Sequence, residues 1–93
     1  MSVEVRLPTI LRSMAANQAS VRAEGATVGE VFEDLVRQFP DLQGRVVTTE
    51  GKLHKFVNVY VSDDDVRYLD GLDTKVEDDA EISILPAVAG GSA

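Results

Sequence analysis

The strongest constraint on the fold is one amphipathic helix, predicted between Thr27 and Pro40. Thr27 and Glu30 have the spacing of a capping box, in which the Thr hydroxyl accepts a first-turn amide and the Glu side chain reaches back. Apolar residues then recur at helical spacing and form one stripe: Val28, Val31, Phe32, Leu35, Val36 and Phe39. Pro40 ends the helix, because proline lacks an amide hydrogen. A helix with a single apolar stripe must bury it against another layer of structure.

Strand patterns on both sides of the helix supply that layer. Apolar alternation or β-branched runs predict strands at residues 3–7, 19–24, 56–61 and 81–85, and a short strand at 66–68. The segments between them, including residues 8–17 and 40–52, are predicted connections. The order predicts an α+β domain with a mixed sheet of four to five strands and one main helix packed on one face.

Two strands decide which side chains face away from the helix. In the last strand, Ile82 and Ile84 are expected to point inward, so that Leu85 lies on the other face. The strand at 56–61 is apolar on both faces apart from Asn58, so either alternation fits the sequence. A strand of that kind is either central in the sheet or part of a binding face.

Composition narrows the classes of function. The chain of 93 residues has 16 acidic and 9 basic residues, and its net charge of −7 argues against nucleic acid and favours basic partner surfaces. The absence of cysteine excludes disulfides, thiolate nucleophiles and iron–sulfur ligation, and it fits a cytoplasmic location. Neither a signal peptide nor a membrane span is expected, because no basic region precedes a long apolar run.

Three features that can mark a site are expected to be structural. The acidic run at 63–65 lacks the spaced ligands and terminal Glu of a calcium loop, so it is expected to be a solvated turn. His54 is the only histidine and has no cysteine or second histidine with which to share a metal or a triad. Gly25 and Gly29 are not followed by the Gly-Lys-Ser/Thr ending of a phosphate loop. We therefore predict no metal site and no catalytic residue.

The C-terminal stretch carries the most specific motif. An acidic turn at Asp78-Asp79 leads into the last strand, and Pro86 then begins a tail of small residues that reaches Gly90-Gly91. This stretch resembles the ubiquitin-like sulfur-carrier family of the ThiS/MoaD type, and most closely its cysteine-biosynthesis branch. Further segments share the resemblance, which covers nearly the whole chain: residues 7–12, 51–61 and 65–67.

The resemblance implies a β-grasp domain over residues 1–87 and a flexible tail over residues 88–93. In this family, an ATP-dependent enzyme of the ubiquitin-activating type adenylates the terminal glycine, which corresponds to Gly91. Sulfur then replaces AMP to give a thiocarboxylate that donates sulfide. The chain would thus be a protein cosubstrate that binds no cofactor, with a pyridoxal-phosphate cysteine synthase or a similar enzyme as the sulfide acceptor.

The residues of the tail have the properties that this chemistry requires. An apolar patch beside the tail is expected to dock on the partner. The residues expected to thread into the partner are Ala87, Val88, Ala89 and Gly90. Glycine has no Cβ to obstruct a narrow nucleotide site, and Pro86 stiffens the start of the tail. Leu85 and Pro86 are expected to contact the partner, together with Phe56 or Tyr60 if they share the face of Leu85. Alternatively, Leu85 covers the edge of the core.

Two residues after Gly91 depart from the family pattern. With Ser92 and Ala93 attached, Gly91 has no free carboxylate to adenylate. A cut between Gly91 and Ser92 is therefore expected, and the resemblance implies a zinc-dependent, deubiquitinase-like metallopeptidase. The alternative is a chain that is inactive as a carrier.

Other functions are compatible with the same sequence. Within the family, the alternative is the small subunit of molybdopterin synthase. A ubiquitin-like protein modifier would join Gly91 to lysines of target proteins. A pure binding module would not need Gly90 or Gly91 at all.

Overall fold

The computed structural model describes residues 2–48, 53–54 and 57–86. The strands are β1 (Ser2–Arg6), β2 (Ser20–Glu24), β3 (Val57–Val61), β4 (Asp64–Asp65) and β5 (Glu81–Pro86). The α-helices are α1 (Thr9–Arg12) and α2 (Val28–Gln38), and short 3-10 helices span Ser13–Ala15, Pro40–Leu42, Val66–Tyr68 and Gly71–Asp73. Helix α1 and the first two 3-10 helices lie in segments that the sequence predicts only as connections.

The five strands form one mixed sheet in the order β2-β1-β5-β3-β4. Strand β1 is antiparallel to β2 and parallel to β5, whereas β3 is antiparallel to both β5 and β4. The buried residues of α2 belong to the same core as those of the sheet. The predicted mixed sheet with one main helix is confirmed.

Helix α2 begins as its sequence predicts. The Thr27 hydroxyl accepts a hydrogen bond from the Glu30 amide at 3.2 Å, and the Glu30 carboxylate accepts one from the Ala26 amide at 2.9 Å. The first bond satisfies an amide of the first helical turn, and the second satisfies the amide of the residue before the N-cap. The predicted stripe faces the core, with four residues buried and two partly buried: Val28, Val31, Phe32 and Leu35, then Val36 and Phe39.

The inward faces of the central strands complete the core. Ile82 and Ile84 of β5 are buried, as predicted. In β3, Val57 and Val59 are buried, which settles the alternation that the sequence left open. Because alternate residues point to opposite faces, Asn58 and Tyr60 of β3 lie on the outer face of the sheet.

The prediction around β4 was wrong. Ser62 and Asp63 both have positive φ angles, 48° and 79°, so the chain reverses in a tight turn directly after β3. Strand β4 therefore begins at Asp64, inside the predicted turn, and the predicted strand at 66–68 is a 3-10 helix. The Asp65 side chain caps this helix by accepting a hydrogen bond from the Arg67 amide at 2.8 Å.

Asp34 joins α2 to the end of β2. Its carboxylate accepts hydrogen bonds from the Glu24 amide at 3.0 Å and from the Gln38 side chain at 3.0 Å. It also forms an ion pair with Arg37 at 3.3 Å. The Glu24 amide first, and then the Gln38 and Arg37 side chains, hold the pKa of Asp34 below its ordinary value of 3.8, against the opposing effect of desolvation. The folded chain therefore favours the ionised carboxylate.

Replacing Asp34 by Asn should lower the free energy of unfolding at neutral pH, because the charge-assisted hydrogen bonds are lost. Since the pKa of Asp34 is lowered on folding, its contribution is present above 3.8 and is lost as the pH falls through the folded-state value. Urea unfolding of the wild type and of Asp34→Asn should give free energies that converge at acid pH. A gap of constant size from neutral to acid pH would contradict the assignment.

Candidate functional site

Central strand β5 brings the C-terminal stretch to the end of the domain. It lies between β1 and β3 and ends at Pro86. Across the β3 ladder, Leu85 pairs with Asn58 and Pro86 pairs with Val57. The tail therefore begins where β3 begins, at a point we call the tail exit. The predicted threading, adenylation and processing residues, from Ala87 to Ala93, lie outside the described residues.

Leu85 and Tyr60 share the outer face beside the tail exit. Tyr60 lies opposite Ser83 in the β3–β5 ladder, which makes it a diagonal neighbour of Leu85. Leu85 is 48% exposed, and it is not among the residues that pack into the core. Of the two aromatic residues considered for this patch, Tyr60 is thus on the face of Leu85, and Phe56 lies outside the described residues.

A groove flanks the tail exit on the side of β1. It has a volume of about 510 Å³ and runs between residues 83–86 and a wall formed by residues 6–10 and Arg12. Ile10, on helix α1, is 63% exposed and lines this wall. The sequence pattern does not indicate that Ile10 lies at the site, because residues 8–17 are predicted only as a connection. The one sequence feature that could have indicated this role is a large apolar residue in a stretch without strand alternation.

The charged residues that line the groove are arginines, although the chain is acidic. Arg6 and Arg12 line it, and no carboxylate does so in the part of the chain that the structure describes. Arg6 forms an exposed ion pair with Glu81 at 3.3 Å, and the Arg12 Nε donates to the Leu7 carbonyl at 3.2 Å. The basic partner surface expected from the net charge stays a prediction, and the two arginines argue against such a surface at this groove.

On the side of β4, Arg67 contacts the start of β3. Its guanidinium donates hydrogen bonds to Asn58 Oδ1 at 2.6 Å, to the Val57 carbonyl at 2.8 Å and to the His54 carbonyl at 3.1 Å. All three acceptors are uncharged. In the sequence, Arg67 belongs to the resemblance and to the short strand predicted at 66–68, and no local pattern connects its side chain to a strand several residues earlier.

The other candidates from the sequence do not assemble into a site. Within the described residues, no three His, Cys, Asp or Glu side chains are grouped so that they could hold a metal ion. The acidic run at 63–65 forms the turn after β3 and the strand β4. His54 contributes its carbonyl oxygen to the Arg67 hydrogen bonds.

A mixed sheet with one main helix on one face, and a tail that follows its central strand, defines the ubiquitin-like β-grasp class of protein. The ThiS family model matches residues 5–91, and the chain belongs to the ThiS family. None of the helices that the structure describes is long and apolar enough to cross a membrane.

Known proteins similar to this chain include carriers and a modifier. The sulfur carrier protein CysO of Mycobacterium tuberculosis is 47% identical over 93 residues, which cover 98% of this chain and 100% of that protein. Small archaeal modifier protein 3 of Haloferax volcanii is 37% identical over 68 residues, or 73% of each chain. A chain in the crystal structure of the Amycolatopsis orientalis BexX/CysO complex has a TM-score of 0.87 and 48% identity, with 96% of this chain and 99% of that chain covered. The predicted β-grasp fold and the resemblance to sulfur carriers are confirmed.

Proposed function

We propose that this chain is a sulfur carrier that acts through a thiocarboxylate on Gly91. In the active site of a ubiquitin-activating-type enzyme, the Gly91 carboxylate attacks the α-phosphorus of ATP and releases pyrophosphate. Sulfide then attacks the acyl carbon of the adenylate and displaces AMP. The product is Gly91 with one carboxylate oxygen replaced by sulfur, and the sulfur is later passed to an acceptor enzyme.

The position of β5 is the observation that carries this proposal. The strand ends at Pro86, next to the half-exposed Leu85, and the small-residue tail follows directly in the sequence. A tail attached to the end of a central strand can enter a partner while the domain docks beside it. Similarity to the CysO sulfur carriers over 98% of this chain supports the same role.

In this account the chain is a cosubstrate and not an enzyme. ATP is bound and consumed by the activating partner, so the chain needs no cofactor of its own. We place the cycle in the cytoplasm, which the absence of cysteine fits. The same absence means that the chain has no thiol of its own to react with the thiocarboxylate. The resemblance at residues 7–12, 51–61 and 65–67 favours cysteine biosynthesis as the branch, with a pyridoxal-phosphate cysteine synthase or a similar enzyme as the acceptor.

Gly91 must be exposed by proteolysis before it can be activated. Ser92 is joined to it by a peptide bond, and an amide is not a substrate for adenylation. We propose that a metallopeptidase adds water across the bond between Gly91 and Ser92 and releases Ser92-Ala93. The ThiS family match ends at Gly91, which supports the position of the cut.

Intact mass measurement of chain purified from its native host should show the loss of Ser92 and Ala93. A Ser92→Pro variant should keep both residues, because proline restricts the backbone at the bond to be cut. A chain encoded to end at Gly91 serves as the control and should not change in length. A thiocarboxylate-loaded pool that retains Ser92 and Ala93 would contradict the proposal.

We also propose that the outer face at the tail exit docks on the activating enzyme. Leu85 is exposed there with Tyr60 beside it, Pro86 is exposed next to them at the end of the strand, and Phe56 stays a prediction from the sequence. A few well-packed side chains near the centre of a contact carry most of its binding energy, and an exposed apolar residue beside the tail exit is a candidate for that role. Ile10 and the arginines of the groove extend the face toward a partner surface that is neutral or acidic.

Leu85→Ser should raise the KM of the activating enzyme for this chain about tenfold, which corresponds to the loss of one apolar contact at a binding surface. Leu69→Ser is a matched control, because Leu69 is also 48% exposed but follows the 3-10 helix beyond β4. Both variants should unfold at similar temperatures, since neither leucine belongs to the core. Equal KM values for the two variants would exclude Leu85 from the contact.

A protein modifier is the second candidate, and the likeness to small archaeal modifier protein 3 favours it. A modifier uses the same adenylate, but a lysine amine of a target displaces AMP and forms an isopeptide bond. Blots of cell extract separate the two functions: ladders of conjugates that disappear with Gly91 support the modifier. A small subunit of molybdopterin synthase would share the thiocarboxylate and differ only in its acceptor.

A further inference from the structure

The sheet is incomplete at the tail exit. Strand β1 pairs with β5 only from Glu81 to Ser83, whereas β3 pairs with it as far as Pro86. The last residues of β5 are therefore held in the sheet by β3 alone, within the described residues. Whatever fixes the start of β3 therefore also fixes Leu85 and Pro86, the last residues before the tail.

Within the described residues, the start of β3 has no strand on the side away from β5. Strand β4 is only two residues long and pairs with Tyr60 and Val61, at the far end of β3. Opposite Val57 and Asn58, where a longer β4 would lie, the chain has already turned into the 3-10 helix that contains Arg67. A backbone carbonyl at such an edge must find another donor or bind water.

Arg67 supplies those donors. Its guanidinium bonds to the Val57 carbonyl at 2.8 Å, to Asn58 Oδ1 at 2.6 Å and to the His54 carbonyl just before the strand at 3.1 Å. The backbone of Arg67 is itself held, because its amide donates to Asp65 Oδ1 at 2.8 Å. The side chain thus replaces the missing part of β4 with a planar set of charged donors.

We infer that Arg67 is a positioning residue for the tail. It holds Val57 and Asn58 in the ladder, and these two residues are the partners of Pro86 and Leu85. The inference rests on the proposed function in one respect. If the chain is a sulfur carrier, the activating enzyme meets a tail that starts in one fixed direction. Without Arg67, the partner must order the tail exit on binding, and that cost weakens association. The reaction at Gly91 occurs within the partner and is not affected once the complex has formed.

The inference is tested by comparing the variant Arg67→Met with the control variant Arg22→Met. Arg22 is a matched control: it is also exposed and donates three hydrogen bonds, to Ser2 Oγ, the Ser2 carbonyl and Asp79 Oδ1, but it lies in edge strand β2. Amide hydrogen exchange should become faster at the Val57 end of β3 and the Leu85 end of β5 in Arg67→Met. Exchange near Tyr60 and Val61 should stay as in the wild type, and Arg22→Met should not affect the tail exit.

The second readout is the activation reaction itself. Arg67→Met should raise the KM of the activating enzyme for the chain about tenfold and leave kcat within about twofold, the pattern of weakened binding. Arg67→Lys should recover only part of the loss, because a lysine ammonium cannot span three acceptors as the planar guanidinium does. Arg22→Met should leave both constants unchanged. A general loss of stability would instead move both arginine variants alike.

The two readouts separate the inference from the proposed function. Unchanged exchange at the tail exit in Arg67→Met overturns the inference, whether or not the chain carries sulfur. Faster exchange there with an unchanged KM also overturns it, because the fixed direction would then not matter to the partner. If the wild-type chain is never adenylated, the proposed function fails, and faster exchange confined to the tail exit still supports Arg67 as the residue that holds it.

Discussion

The arrangement of the rest of the structure depends on how β5 pairs with its two neighbouring strands, β1 and β3. Its first residues are held by β1 on one side and β3 on the other, and its last residues by β3 alone. Ile82 and Ile84 anchor the strand in the core under α2, whereas Leu85 turns outward. One short strand thus combines a buried anchor, an exposed contact and the origin of the tail. The burial of two isoleucines stabilises the domain by several kcal/mol, about 1.5–3 kcal/mol each, so the tail begins from a fixed point.

Much of this arrangement could be predicted from the sequence, because it follows from local periodicity. The stripe and capping box of α2, the alternation of β1 and the inward pair in β5 all have patterns of short range. The alternation of β3 could not be predicted, since Val57, Val59 and Tyr60 fit either face and only the register with β5 decides. The end of the β3–β4 turn was also missed, because Ser62 and Asp63 adopt positive φ without the glycine that usually marks such a turn.

The features of the tail exit depend on contacts that no short sequence pattern contains. Ile10 meets the tail exit only because parallel pairing of β1 with β5 places α1 beside it. Arg67 meets Val57 and Asn58 only because β4 stops early. The charge of the groove likewise differs from the average charge of the chain, since Arg6 and Arg12 line it in a molecule whose net charge is −7. A net charge describes the long-range field and does not fix the sign at a particular contact.

In the proposed role, the chain contributes geometry to the reaction, and the reactive atom belongs to the backbone of Gly91. The most direct measurement takes a chain that ends at Gly91, incubates it with its activating enzyme, ATP and sulfide, and weighs the intact protein. The account predicts the exchange of one oxygen for one sulfur in the C-terminal residue, and no exchange in the chain that retains Ser92 and Ala93. An unchanged mass for the chain ending at Gly91, or equal exchange in both chains, would contradict it.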